Sequence, residues 1–310
     1  MTSLPARAIV RLGFNGYIVS NTPKKPKTIR YNKNGNAIVI PSEGSISQDV
    51  DGSIALSDKK DCLSAQTIEG LQINTRNGDD IINGSYYTRI VGYCTTGYGN
   101  DRISSNRLIE LGNTGSNSSS YVSLDQGNDS IELKLTANQP NYSFTDVGLI
   151  LESHVQFLAG EGDDTILSEI AGYSGKDTSA KLNGLYLWSN SSIDMGSGND
   201  TITGSSVYQN GFSLSQDSLI SMGDGNDKLD ALTGGILLGG AIDLGAGDDA
   251  AYVDIDKSLY SPNPDNHSRF NGGDGIDTIY IREGCYTITK ESGYGNLFAI
   301  TDGNMLPFYI

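Results

Sequence analysis

Eight aspartates hold the chemistry this sequence offers: Asp80, Asp101, Asp129, Asp164, Asp200, Asp227, Asp249 and Asp277. Each closes a short phrase of the type Gly-x-Gly-Asn/Asp-Asp, as in MGSGND at 195–200, MGDGND at 222–227 and LGAGDD at 244–249. Successive aspartates lie 21, 28, 35, 36, 27, 22 and 28 residues apart. Six copies carry both glycines: Gly97 and Gly99, Gly160 and Gly162, Gly196 and Gly198, Gly223 and Gly225, Gly245 and Gly247, Gly273 and Gly275. In the other two, Arg76 and Asp125 stand where the first glycine would be.

The donors on offer are carboxylates, Asn amide oxygens and the carbonyls of the glycine turns, all hard oxygens. If the phrases stack, their aspartates form a column at a strand spacing of roughly 4.8 Å. Neighbouring charges at that pitch repel by about 1 kcal/mol even in water and by more near protein. A cation between the turns relieves this, and an all-oxygen, flexible donor set suits calcium better than zinc or copper. On this reading each copy supplies half of a metal site and the next coil supplies the other half. The competing reading is that Gly-Asn-Asp is only a good turn, its aspartate bonded to backbone amides. Eight copies with the aspartate retained in all of them favour the metal reading. The two histidines, His154 and His267, have no ligand partner nearby in sequence.

Recurrence every 20–36 residues is the mark of a stacked repeat architecture. Glycine, Asn and Asp tolerate positive φ, so the phrase is a turn. Alternating apolar residues flank it: Ile193 and Met195 before Ile202, Ile220 and Met222 before Leu229, Ile242 and Leu244. Period two predicts strands, and no segment has a convincing helical period. The expected fold is all-β, a parallel β-solenoid of about eight coils with hairpin-like antiparallel ends. Spacing variation falls to loops such as GNTGSNSSS at 112–120. At the ends, Asn15-Gly16, Asn34-Gly35 and the segment YTITKESGYGNLFAIT predict hairpins that cap the stack or connect copies. The division expected is a cap or connector over 1–60, a solenoid over 61–283, and a C-terminal cap over 284–310.

Glycine numbers 39 of 310 residues, about twice its usual share. The net charge is −16, distributed as +5 over residues 1–60 and −21 over the rest. Nucleic acid and anionic membranes are therefore poor partners for most of the surface. No stretch is long and apolar enough to span a bilayer, and membrane insertion is not expected. The N-terminal residues do not read as a cleaved signal peptide. Cys62, Cys94 and Cys285 show neither a disulfide framework nor metal-ligand spacing, although Cys62 and Cys94 could meet across adjacent coils. Neither His-Glu-x-x-His nor Gly-x-Ser-x-Gly occurs in the sequence, so an enzyme is not expected.

The copy GGDGIDTIY at 272–280 fits the nonapeptide G-G-x-G-x-D-x-U-x, and the other copies fit most of it. Over roughly 70–310 the chain resembles the RTX (repeats-in-toxin) calcium-binding proteins. That resemblance implies a parallel β-roll in which the motif aspartates and glycine-turn carbonyls hold several calcium ions. It also implies export through a type I channel on an uncleaved C-terminal signal, with folding on meeting calcium outside the cell. The family runs its nonapeptides in direct tandem, whereas here one copy falls in each coil, which implies a single calcium ladder on one edge. Cysteine is also scarce in that family.

The expected function is that of a secreted, non-enzymatic calcium-binding structural protein: a surface-layer, filament or adhesion subunit that self-associates or meets cell-surface polysaccharide. The alternatives are a carbohydrate-active β-helix enzyme and a phage spike-like solenoid.

Overall fold

The computed structural model describes residues 53–112, 119–135, 147–172, 182–254 and 269–281 continuously, with short strand segments at 19–20, 28–31, 37–40, 45–47, 259–260, 287–290, 298–301 and 308–309. These residues are all-β, with no helix among them. Twenty-six of their strands join one sheet, and most of its pairings are parallel.

The pairings form three stacks. The first begins just after each motif aspartate: Arg102–Ser105, Ser130–Leu135, Thr165–Ile170, Thr201–Ser206, Lys228–Ala231, Ala250–Val253 and Thr278–Ile281. Each is in parallel register with the next, so Ile103, Ile131, Ile166, Ile202, Leu229, Ala251 and Ile279 form one row. The second stack runs from Leu108–Leu111 through Val147–Leu151, Leu182–Leu187, Phe212–Leu214 and Ile236–Leu238 to Leu259–Tyr260. The third runs from Ser120–Ser123 through Val155–Glu161, Ser192–Ser197, Leu219–Ser221 and Ala241–Asp243 to Arg269–Asn271. The strands Cys62–Asn74 and Ile81–Thr95 are long enough to pass through all three. The chain thus visits the stacks in order, crosses the Gly-Asp turn and starts the next coil, which is the arrangement of a parallel β-solenoid.

Period two sets the interior. Ile193, Met195, Ile202, Ile220, Met222, Leu229, Ile242 and Leu244 are all 0–1% exposed, as their alternation predicts. They join one continuous apolar core that runs from Leu56 to Phe270. The alternate side chains of each strand face out and are mostly polar. Cys94 lies in this core, and burial pushes its thiol up to about 12. It pairs in register with Ile73 and Val122, while Cys62 pairs with Ile81. The two cysteines therefore sit on different stacks and are both free thiols, so the bridge the sequence allowed is not made. Cys285 and His267 lie outside the described residues.

The ends are antiparallel. Thr28–Tyr31 pairs with Ala37–Ile40 across the Asn34-Gly35 segment, and Ala37–Ile40 then joins the solenoid in parallel with Cys62–Asn74. Thr287–Lys290 pairs with Phe298–Thr301, which pairs with Phe308–Tyr309. The Asn15-Gly16 hairpin lies outside the described residues.

Candidate functional site: the aspartate column

The eight motif aspartates do form a column, and each reaches its neighbour in one repeated way. Oδ1 of every motif aspartate accepts a hydrogen bond from the backbone N–H of the motif aspartate one coil earlier. The distances are 2.6 Å for Asp80 N to Asp101 and for Asp101 N to Asp129, 2.7 Å for Asp129 N to Asp164 and for Asp164 N to Asp200, and 2.8 Å for Asp200 N to Asp227 and for Asp227 N to Asp249. The last bond, Asp249 N to Asp277, is 3.2 Å. Bonds from N–H to carboxylate are the short, charge-assisted kind.

The residue before each aspartate makes a second ladder in the opposite sense. Asn100 N donates to Asp79 Oδ1, Asn128 N to Asn100, Asp163 N to Asn128, Asn199 N to Asp163, Asn226 N to Asn199, Asp248 N to Asn226, and Ile276 N to Asp248. This explains the Asn/Asp preference at that place. Ile276 closes the described ladder as a donor only, so a side chain without an acceptor is tolerated there.

The glycines are required by the stacking itself. A Cβ on Gly99, Gly127, Gly162, Gly198, Gly225, Gly247 or Gly275 would lie 1.6–2.2 Å from the carbonyl oxygen of the second glycine of the preceding turn. These residues hold φ of 137–148°, beyond the left-handed helical region open to other side chains. At the first position, Gly97, Gly160, Gly196, Gly223, Gly245 and Gly273 hold φ of 91–126°. The two non-glycine occupants adapt: Arg76 sits at φ 72° and Asp125 at φ 73°, within reach of an ordinary residue. A Cβ at the first-position glycines would also lie 1.6–1.9 Å from a backbone carbonyl oxygen of the preceding turn, so what separates the two positions is the lower φ that Arg76 and Asp125 adopt. The second glycine is retained in all eight copies, including Gly78 and Gly127, and the first in six.

The structure adds a ninth turn. In LSDKKDC at 56–62, Asp61 occupies the motif position, and its N–H donates to Asp80 Oδ1 at 2.6 Å. Its carboxylate turns back to accept from Ser57 N and Ser57 Oγ, which starts the column without a glycine. Leu56 is buried where Thr75 and Thr96 are buried in the next coils. Aspartate followed by a strand, 19 residues ahead of Asp80, was the available sequence signal.

The ladder uses one carboxylate oxygen and leaves the other. Oδ2 of Asp80, Asp101, Asp129, Asp164, Asp200, Asp227 and Asp249 is buried with no hydrogen-bond partner, and these residues are only 1–2% exposed. Burial therefore pushes the carboxyls up from 3.8: to about 7 for Asp80, Asp200 and Asp227, to about 6 for Asp101 and Asp164, and to about 8 for Asp129. Asp249 is raised as well. Neighbouring carboxylates add to the rise, and the accepted N–H bonds oppose it.

The orphaned oxygens fit a hard, oxygen-seeking cation or a proton, since a buried carboxylate without either is costly. The turn carbonyls are partly engaged. Those of Tyr98, Gln126, Glu161, Ser197, Asp224, Ala246 and Asp274 accept the N–H of the second glycine one turn earlier. Those of Gly196, Gly223 and Gly245 accept from the following turn. Each carbonyl keeps a second lone pair. Among the described residues no three His, Cys, Asp or Glu side chains converge on one point, because each coil contributes a single inward carboxylate.

Compared with known protein families, curated proteins and solved structures, the chain matches none.

Proposed function

We propose that this chain is a secreted, non-enzymatic calcium-binding structural protein of about eight coils. It serves as a surface-layer, filament or adhesion subunit that folds and assembles when calcium enters the aspartate column. The observation that carries this reading is the row of seven buried Oδ2 atoms without partners. A proton satisfies them one at a time in acid, and at neutral pH a divalent cation shared between coils does so while cancelling the repulsion. Oδ2 atoms of adjacent turns and the spare lone pairs of turn carbonyls are the ligands proposed. The resemblance to RTX repeats supports calcium as the ion and supports export. Self-association is supported by the repeat itself, since each coil pairs in parallel register with the next and a coil of a second copy can add by the same pairing. The acidic surface argues against nucleic acid and anionic membrane as partners.

The neutral isostere tests this reading. Asn at positions 200 and 227 keeps the Oδ1 acceptor and adds an N–H donor at the orphaned place. The variant D200N/D227N should bind less calcium by calorimetry than the parent chain and should gain less β signal and melting temperature on calcium addition. In metal-free buffer near neutral pH it should be more stable than the parent, because two desolvated charges are gone. Unchanged calcium uptake together with unchanged melting would reduce the column to turn chemistry. Negative-stain microscopy of the same samples reads assembly, with calcium-dependent elongated particles expected.

A further inference from the structure

The two copies that lack the first glycine border the same surface concavity. Along the column the first position reads Arg76, Gly97, Asp125, Gly160. A side chain therefore projects, is missing, projects and is missing again over four successive turns. These four positions line one notch of about 640 Å³. The x position of the motif follows suit. Tyr98, Gln126 and Glu161 are long here and Asn77 is short, while Ser197, Asp224 and Ala246 are all short farther along.

The lining has two chemical halves. One is aromatic: Tyr98 is 59% exposed, and Tyr121 stacks on Tyr93 with ring centroids 5.5 Å apart and planes within 11°. The other is polar and mixed. Arg76 donates, Asp125 and Glu161 accept, and Gln126, which donates to Glu161 Oε2 at 3.0 Å, does either. The exposed Tyr98 ring beside paired donors and acceptors matches a sugar ring, which has apolar C–H faces and a rim of hydroxyls that both donate and accept. The size lies within the ~300–1,000 Å³ of small-molecule sites. The charge balance selects among sugars: one guanidinium faces two carboxylates on a chain of net charge −16, so an anionic saccharide is repelled.

We infer that this notch is a binding site for a neutral oligosaccharide, with Tyr98 as the stacking platform, the Tyr93–Tyr121 pair as an aromatic wall, and Arg76 and Asp125 as orienting groups. The site narrows the polysaccharide partner considered for the chain, and it does not require calcium to occupy the column, since none of these side chains belongs to the Oδ2 row.

The test uses the full chain with calcium present and a panel of cellotetraose, maltotetraose, chitotetraose and trigalacturonate, read by saturation-transfer NMR and calorimetry. At least one neutral tetrasaccharide should bind, and trigalacturonate should not. The double variant R76G/D125G restores the regular motif and should keep the circular dichroism of the parent while losing at least about tenfold in saccharide affinity. Because Asp125 stands in the field of Asp101 and Asp129, unchanged calcium uptake is required of the Tyr98 variant, which leaves the charges of the column in place. Tyr98→Ala, at an exposed site that the fold does not depend on, provides the second readout and should weaken binding similarly. No binding across the neutral panel, binding of trigalacturonate alone, or undiminished binding by both variants would overturn the assignment. Because calcium uptake is measured on the same samples, loss of this site and loss of the calcium reading are separable outcomes.

Discussion

Alanine at position 225 should break the solenoid locally, at a cost of at least about 3 kcal/mol, well above the ~1 kcal/mol of an ordinary glycine-to-alanine change within a strand. Gly225 holds φ at 148°, and a Cβ there would lie 1.6 Å from the carbonyl oxygen of Gly198 and 2.6 Å from its carbon. Both obstacles are backbone, so no side chain can swing aside. Separating them to even 3.0 Å disturbs the ladder around them: Gly198 N to Asp224 O and Gly225 N to Ala246 O, each 2.8 Å, and the two aspartate bonds of Asp227. A stacked array draws its stability from contacts between nearest neighbours, so damage at one turn exposes the coils on both sides. Hydrogen exchange followed by mass spectrometry should show lost protection in peptides spanning 219–253. Ser197→Ala, an exposed change at the x position of a neighbouring turn, should stay within about 0.5 kcal/mol of the parent. Gly223→Asp places its Cβ 1.9 Å from the Gly196 carbonyl oxygen but has open to it the φ near 72° that Arg76 and Asp125 adopt, so it should cost less than G225A and more than Ser197→Ala. If G225A melts with the parent, the close approach of the turns is not what selects glycine.

The contrast between the two glycines shows what the sequence could and could not reveal. Counting copies exposes the repeat, and the apolar alternation around it exposes the strands, because both are local and periodic. The register that places Ile103, Ile131, Ile166 and Ile202 in one row follows from the same periodicity. The column of aspartates was also legible, since equal turns in equal coils must stack. Its internal bonding was not. That the aspartates bond to backbone amides was the competing reading of the motif, and one carboxylate oxygen does so. The order of residues does not say that the donor is the previous aspartate's N–H, or that the adjacent Asn/Asp row runs the other way. The turn at 57–61 was hidden because it carries Lys59 where a stacked turn needs glycine. It begins the described column, and among the described residues no earlier turn presses a carbonyl against that position. The notch at Arg76 and Asp125 was hidden for a related reason: those residues look like motif decay when each copy is read alone. Their meaning emerges when four copies stand side by side.

The metal-free chain should lose stability as the pH rises from about 4.5 to about 7.5, opposite to the behaviour of a protein held by ordinary salt-bridged carboxylates. The six aspartates with carboxyls raised to about 6–8 keep their protons in the folded solenoid under conditions where the unfolded chain has released them. A raised carboxyl contributes stability that is complete below its unfolded value near 3.9, and that contribution disappears as the pH climbs through the folded value. Glu132, lowered by its hydrogen bond with Lys134 and by Arg102, works in the other direction, but it is one partly exposed group against a buried row. Holding a proton tenfold more tightly in the folded chain than in the unfolded one is worth about 1.4 kcal/mol. The six aspartates are neighbours in one column and titrate together, so their contributions do not simply add, but they all act in the same direction. Calcium should reverse the trend, because it binds the ionised oxygens and competes with the protons: its stabilisation should be small near pH 4.5 and largest near pH 7.5, about the range over which the aspartates ionise. Urea or thermal melts of dialysed protein at several pH values, each with and without millimolar calcium, give both slopes. A metal-free stability that is flat or rising over this range would mean that the Oδ2 row is hydrated. A calcium effect independent of pH would mean that the ion binds elsewhere. The predicted crossing, with acid and calcium acting as alternative occupants of one column, ties the folding of the chain to the two species that neutralise its aspartates.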